Sequence, residues 1–324
     1  MINLKSVPIF RDAFFMSLSP GGNHFLSLPL LLSKNNFMAI WIAILLGIIQ
    51  GIFMFFPVSS TSHLALMQNF LISRGVDLPS PDSPEMILFD LMVHVGTLFS
   101  IAYVFRVSLW SYIVNTVKGF SQFLGGTKTN VGSLYVRLSL LGGLSVFVTG
   151  LVGFPLKELF EGVFAEPLIM SGTLIITGIL LWWTDVLPAR KIGLRDISIS
   201  IAIIIGLAQG LALLPGLSRS GMTIAFALFA GMQRRWAAEY SFFIAFPTIM
   251  GASLLQGIEV AGGEGLGALS PVVILIGLIV SAIVGIFALK IVVNLLYKAR
   301  FRFFSYYVWT LALVVAASAL LGYL

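Results

Sequence analysis

The segment Gly47-Ile48-Ile49-Gln50-Gly51-Ile52-Phe53-Met54-Phe55-Phe56-Pro57-Val58-Ser59-Ser60-Thr61-Ser62-His63 starts as an apolar helix and breaks into a run of hydroxyls ending on an imidazole. A second segment repeats the design. Gly206-Leu207-Ala208-Gln209-Gly210 matches Gly47 to Gly51, and Pro215-Gly216-Leu217-Ser218-Arg219-Ser220-Gly221 follows as a second polar knot. After each knot only about ten apolar residues remain, too few to cross a hydrocarbon core of about 30 Å at about 1.5 Å per residue. Polar, non-helical backbone survives at membrane depth only when protein or a cavity surrounds it. Segments 38–72 and 197–231 therefore read as re-entrant hairpins with a knot at each tip.

The rest of the chain supplies the frame. Of its 324 residues 58% are hydrophobic and 10% charged, with a mean hydropathy of +1.03. Soluble domains carry about 25% charged residues, so a soluble enzyme and a disordered chain are excluded. The net charge of +6 does not indicate nucleic acid, because Lys and Arg are scattered between apolar runs. The absence of cysteine excludes a disulfide framework and thiolate metal sites. Six further runs, 85–105, 135–155, 167–187, 237–257, 271–295 and 304–323, are long enough to span a bilayer. Stretch 106–134 reads as an amphipathic run followed by a Gly/Lys/Thr/Asn-rich surface linker. Residues 1–37 read as an N-terminal extension, and 38–324 as one membrane domain with halves 38–187 and 197–324.

Three spans separate the hairpins, and three is odd, so the second hairpin enters from the opposite face. The expected fold is an all-α polytopic membrane protein of two inverted repeats, each a re-entrant hairpin plus three transmembrane helices. Five Lys and Arg then fall on the face of the first hairpin's mouth and twelve on the other. The positive-inside rule makes the second face cytoplasmic and turns the first mouth outward.

Ionisable groups inside the apolar belt are functional candidates because they are costly there. They are His63, Asp90, His94 and Arg219, with Glu239 at a helix mouth. Arg219 at a re-entrant tip has no short path to either interface. Its planar fork suits a phosphate bidentately, while pairing with a carboxylate is the structural alternative. Each knot also starts a helix, aiming free N–H groups at the same point. His63 beside Ser59, Ser60 and Thr61 can serve as nucleophile, base or acid. Its alternative role is packing, with Ser59 or Ser60 capping the helix. Asp90 and His94, four apart, share a helical face and read as a carboxylate–imidazole pair, catalytic or merely self-satisfied. Arg235 and Glu239 read as an interfacial pair. Glu158, Glu161 and Glu166 read as a solvated loop. Trp182, Trp183, Tyr306, Tyr307 and Trp309 read as belt residues.

With the knots in place, residues 38–324 resemble the undecaprenyl-pyrophosphate phosphatase family, the integral-membrane bacitracin-resistance proteins. Besides the two knots, the resemblance rests on Phe89-Asp90 with His94-Val95-Gly96-Thr97, and on Ala237-Ala238-Glu239-Tyr240-Ser241-Phe242 with Pro247 and Gly251. It implies hydrolysis of a polyprenyl diphosphate to the monophosphate, which recycles the lipid carrier for cell-wall synthesis. The implied setting is the outer side of a bacterial cytoplasmic membrane, with a divalent cation, Mg²⁺ or Ca²⁺, as cofactor. It places His63, Ser60 and Arg219 in catalysis, and Ser59, Thr61, Ser218, Ser220, Thr223 and Gln50 on the diphosphate. Asp90, His94 and Glu239 are supporting residues. The expected partners are the polyprenyl lipid, membrane lipids and a second copy in a homodimer, with no nucleic acid. A non-hydrolytic flippase of phosphorylated polyprenyl lipid is the alternative. The chain departs from the family at Met54, where a second Glu is usual; a thioether neither carries a proton nor holds Mg²⁺ well. The acid-phosphatase type of lipid phosphatase is excluded, since that type needs a histidine after its Ser-Arg motif and none follows Arg219 here.

Overall fold

In the computed structural model the structure describes residues 34–81, 83–126, 130–160, 166–262 and 270–321. The chain divides into two units between Trp41 and Ile42. Of the first unit only the opening turns of helix α1 are described, so the expected extension 1–37 lies mostly outside the described residues.

Eleven α-helices run through the described residues: α1 Lys34–Phe53, α2 Ser60–Ser73, α3 Pro84–Val104, α4 Arg106–Leu124, α5 Asn130–Phe160, α6 Pro167–Val186, α7 Ile199–Leu211, α8 Arg219–Phe229, α9 Arg234–Gly262, α10 Pro271–Tyr297 and α11 Arg302–Leu320. Six of them, α3, α5, α6, α9, α10 and α11, are long and apolar enough to cross a membrane. The protein is a multi-pass, all-helical membrane protein. The apolar part of α1, Ile40–Phe53, and α7 are shorter. At about 1.5 Å per residue each reaches only about 20 Å, and each is followed by a second short helix, as expected for the two hairpins.

Local sequence explains where the helices start. Ser83 accepts the N–H of Met86 and Ser270 that of Val272, with Pro84 and Pro271 as the first helical residues. Ser198 caps α7 and Ser218 caps α8 by the same side-chain acceptance. The stretch after α3 differs from the sequence reading. Almost all of it is helical, because α4 packs back on α5, with Tyr112 Oη and Ser139 Oγ 2.7 Å apart. The linker shrinks to residues 125–129, of which 127–129 lie outside the described residues.

Glycines set how the hairpins dock. Gly47 and Gly51 lie on α10, where a Cβ would stand 2.9 Å from the carbonyl oxygens of Gly277 and Ser281. Gly206 and Gly210 lie on α5, where a Cβ would meet Ser145 O at 2.6 Å and Val152 Cβ at 2.9 Å. The matched Gly-x-x-Gln-Gly stretches thus make matched contacts: the first helix of each hairpin rests on a central span of the other half. Small residues allow backbones to approach this closely, and packing is what holds membrane helices together. Gly206→Leu is expected to lower stability by about 3 kcal/mol, at the upper end of overpacking costs, read as a fall in melting temperature in detergent. An unchanged melting temperature would mean that the contact is not close-packed.

An ion cluster ties the ends of three spans. The buried Asp185 carboxylate, at the end of α6, accepts from Arg302 N at 2.8 Å and lies 3.7 Å from Arg302 Nε and 3.9 Å from Arg234 Nη1. Arg234 Nη2 donates to Thr184 O at 2.7 Å. The start of α9 and the start of α11 therefore meet the end of α6 at one membrane face.

Candidate active site

The two knots meet. Arg219 Nη2 lies 3.7 Å from Met54 Sδ, and Ser60 Oγ lies 3.9 Å from the same sulfur. Ser220 Oγ is 3.4 Å from Phe55 O. A guanidinium from the second hairpin thus shares one thioether with a hydroxyl from the first. Arg219 has no ion pair among the described residues, which removes the carboxylate-pairing alternative. Its Nη1 is buried without an acceptor, a costly state for a charged group.

Different spans steady the two tips. Thr173 and Thr177, one turn apart on α6, donate to Pro215 O and to Gly216 O, the latter at 2.9 Å. Thr177 Oγ1 also accepts from Ser218 N at 3.3 Å. Gly216 needs to be glycine, since its φ is 86° and a Cβ would stand 2.7 Å from Met170 O. Ser59 also has a positive φ, 68°, without glycine's freedom. Such strain gathers at functional sites. Ser59 is the residue preceding α2, but its side chain does not cap that helix; its Oγ lies 3.0 Å from Ser62 Oγ and 3.4 Å from Thr61 Oγ1. The capping role expected of the first knot is met only in the second, by Ser218.

His63 is fixed at both ring nitrogens. Nδ1 lies 2.7 Å from Ser59 O, and Nε2 lies 2.7 Å from Tyr307 Oη. A carbonyl can only accept, so Nδ1 carries the proton and Nε2 of the neutral ring accepts from the Tyr307 hydroxyl. Phe53 stacks on the imidazole, with centroids 3.8 Å apart. Tyr307 is therefore no simple belt residue. The pattern read along α11 gives its depth, whereas its partner lies 244 positions away. Trp182, Tyr306 and Trp309 do cluster with one another at the protein's surface.

Asp90 and His94 share a face, but not as the expected carboxylate–imidazole pair. His94 Nδ1 folds back on the backbone oxygen of Asp90 at 2.6 Å, the carbonyl that a ring four residues on most easily reaches. The Asp90 carboxylate accepts instead from Gln68 Nε2, at 3.1 and 3.3 Å. Gln68 escaped the sequence reading, although with Asn69 it interrupts the apolar run after the first knot.

Thr223 hydrogen-bonds to Ser241 Oγ and to Arg219 O, the latter at 2.9 Å, and so braces the first turn of α8. Ser218 and Ser220 face each other at 3.3 Å. Glu239 accepts from Arg235 Nε at 3.1 Å, the expected pair. The two matched glutamines differ. Gln209 donates to Thr149 and Thr248, at 3.1 and 2.9 Å. Gln50, one turn before Met54, is fully buried with neither amide atom bonded.

The implied divalent cation does not fit this donor set. A guanidinium and a thioether stand at the meeting point where hard carboxylate oxygens would be needed. No group of three His, Asp or Glu among the described residues could hold a metal.

The family profile described as bacitracin resistance protein BacA matches residues 43–314, which include both knots and most of α11. The chain belongs to the BacA family. Three curated relatives are similar to it over most of this chain and almost all of their own length. A protein of Alkalilimnicola ehrlichii named undecaprenyl-diphosphatase is 56% identical over 284 residues, covering 86% of this chain and 96% of that protein. One of the same name from Halorhodospira halophila is 53% identical over 287 residues, covering 89% and 99%. A third, from Alkaliphilus metalliredigens, is 36% identical over 279 residues, covering 86% and 98%. The BacA match places the meeting point of Met54, Ser60 and Arg219 within the shared part of the chain.

Proposed function

We propose that this protein hydrolyses undecaprenyl diphosphate, or a polyprenyl diphosphate of similar length, to the monophosphate and inorganic phosphate. The observation that carries the reading is the contact of Arg219 with Met54, which puts the anion-binding fork of one knot against the hydroxyls of the other. Membership of the BacA family and the name of the relatives support the substrate class.

In this reading water attacks the terminal phosphorus while the bridging P–O bond breaks, and the lipid monophosphate leaves. Arg219 stabilises charge on the transferring phosphoryl oxygens. Ser60, with Ser59, Thr61, Ser218, Ser220, Thr223 and Gln50 around it, positions the diphosphate. His63 Nε2 either takes the proton of that water or itself attacks the phosphorus as the bridging P–O bond breaks, water then hydrolysing the P–N bond; both require the Tyr307 hydroxyl to give way first. Asp90, His94 and Glu239 support from neighbouring spans. A divalent cation belongs here to the substrate, as a counter-ion of the diphosphate, since the chain offers it few ligands.

The matched glycine contacts support an inverted-repeat arrangement of the two halves. The excess of Lys and Arg on one face supports a cytoplasmic-membrane orientation with the first mouth outward. Recycling of a cell-wall lipid carrier follows from that placement.

The direct test is phosphate release from undecaprenyl diphosphate by purified protein in detergent, with and without Mg²⁺ or Ca²⁺. His63→Ala is expected to reduce release about 10²-fold to 10⁴-fold, the usual range for removing an acid–base group. Release unaffected by that change would take His63 out of the chemistry. Met54 favours a second reading, flippase activity on the same lipid without hydrolysis. Lipid phosphate bound by folded protein without turnover, metal present, selects it.

A further inference from the structure

A second basic site lies well away from the hairpin tips. The segment after α6, the end of α8 and the start of α9 enclose a cleft of about 280 Å³ lined by Leu187, Pro188, Arg190, Leu228, Arg234 and Arg235, among others. Leu228 is nine residues beyond Arg219 on α8, about 13 Å along the helix axis, at the far end from the knots. The cleft walls are fixed by backbone bonds: Ile192 N donates to Gly231 O at 3.1 Å, and Gln233 N donates to Ile192 O at 3.0 Å. Gln233 Nε2 adds a bond to Lys191 O at 3.0 Å.

Of the arginines lining this cleft, Arg234 is engaged by Asp185 and Thr184, whereas Arg190 is the least engaged among the described residues. Arg190 has no ion pair among the described residues, and its Nε is buried without an acceptor. Arg234 Nη1 is likewise buried without a hydrogen bond, its nearest carboxylate oxygen being 3.9 Å away on Asp185. Arg235 reaches Glu239 through Nε, and its terminal nitrogens make no hydrogen bond among the described residues. Three arginines thus line one cleft, and two of them carry a guanidinium nitrogen with no hydrogen-bond acceptor among the described residues. Such donors are costly unless an anion takes them. Opposite them, Leu187, Pro188 and Leu228 give the cleft an apolar wall.

We propose that this cleft binds a phosphate group, as a second anion site separate from the hairpin tips. Planar guanidinium forks match phosphate oxygens bidentately. Basic pockets between membrane helices at a cytoplasmic face hold lipid head groups, and the apolar wall would accept the first carbons of an acyl or prenyl chain. A phosphomonoester lipid and free inorganic phosphate share this chemistry. The proposal does not depend on the phosphatase reading.

The test uses the full chain in phosphatidylcholine nanodiscs. Thermal unfolding is followed for wild type, Arg219→Ala and Arg190→Gln, with inorganic phosphate in the buffer and separately with phosphatidic acid in the disc. At least one source is expected to raise the melting temperature of Arg219→Ala as it does that of wild type. Arg190→Gln is expected to weaken that effect about tenfold or more, the value of one or two charge-assisted hydrogen bonds. Arg190→Lys should recover part of it. A rise with phosphatidic acid alone identifies a lipid head group, and a rise with inorganic phosphate alone identifies the free anion. Arg190 has no ion pair and its Nε no acceptor among the described residues, so the glutamine variant should melt like wild type without phosphate. Arg219→Gln replaces the alanine variant if that does not fold. The proposal is overturned by no rise from either source, by a rise that the Arg219 change abolishes, or by one that Arg190→Gln leaves intact.

Discussion

Arg219→Ala is expected to cut phosphate release by about 10³-fold or more, the range seen when an arginine that meets transition-state charge is removed. The guanidinium stands where charge would develop: its Nη2 touches only a thioether, 3.7 Å away, and its buried Nη1 has no acceptor. Because no carboxylate depends on it, removal should leave the fold standing, with a melting temperature near that of wild type. Arg219→Lys should recover little, since an ammonium lacks the fork that grips two oxygens at once. Steady-state release by folded variant protein decides the matter. A rate within tenfold of wild type would place the chemistry elsewhere.

Met54→Glu is expected to raise the rate by about 10²-fold to 10⁴-fold, the usual contribution of a positioned acid–base group. Glu and Met have similar reach, so the new carboxylate would sit where Sδ now lies, between Arg219 Nη2 and Ser60 Oγ. There it would pair with the guanidinium and accept a proton from the hydroxyl or from a water beside it. The pair is within a buried region, so its attraction is little screened by salt. The glutamate variant should also be the more stable of the two, because Met54 is 6% exposed and at present offers the guanidinium almost nothing. A folded Met54→Glu protein no faster than wild type would show that this position does not limit turnover. If wild type proves silent, the Arg219 and His63 variants are compared in the Met54→Glu background.

The spans were legible in the sequence because a bilayer demands one thing above all, about twenty apolar residues in a row. All six runs reappear as spanning helices, α10 extending to Tyr297 and α9 starting three residues early at Arg234. The hairpins were legible for the converse reason, since Pro57 and Pro215 each precede a polar knot that ends an apolar run too early. What the sequence could not reveal was pairing across the bundle. Tyr307 looks like any interfacial aromatic until α11 sets it beside His63. Thr173 and Thr177 look like ordinary small residues of a packed span until the second tip rests on them. Asp90 and His94 show the opposite failure, in which correct spacing suggested a contact that the ring made with backbone instead. Gln68, the true partner of Asp90, lies on a different helix of the same half, where helical periodicity carries no information.

The cross-docking of the hairpins has a consequence for how the protein is made. Gly51 rests on the carbonyl of Ser281, so α1 reaches its final seat only after about 230 more residues have left the ribosome. At ~5–20 residues per second that interval is about 10 to 50 s. Throughout it, a half-length hairpin with a polar tip must be sheltered by the insertion machinery or by early spans. A chain truncated before α10 would leave that shelter permanently necessary, and quality-control proteolysis rather than a stable fragment is its natural fate.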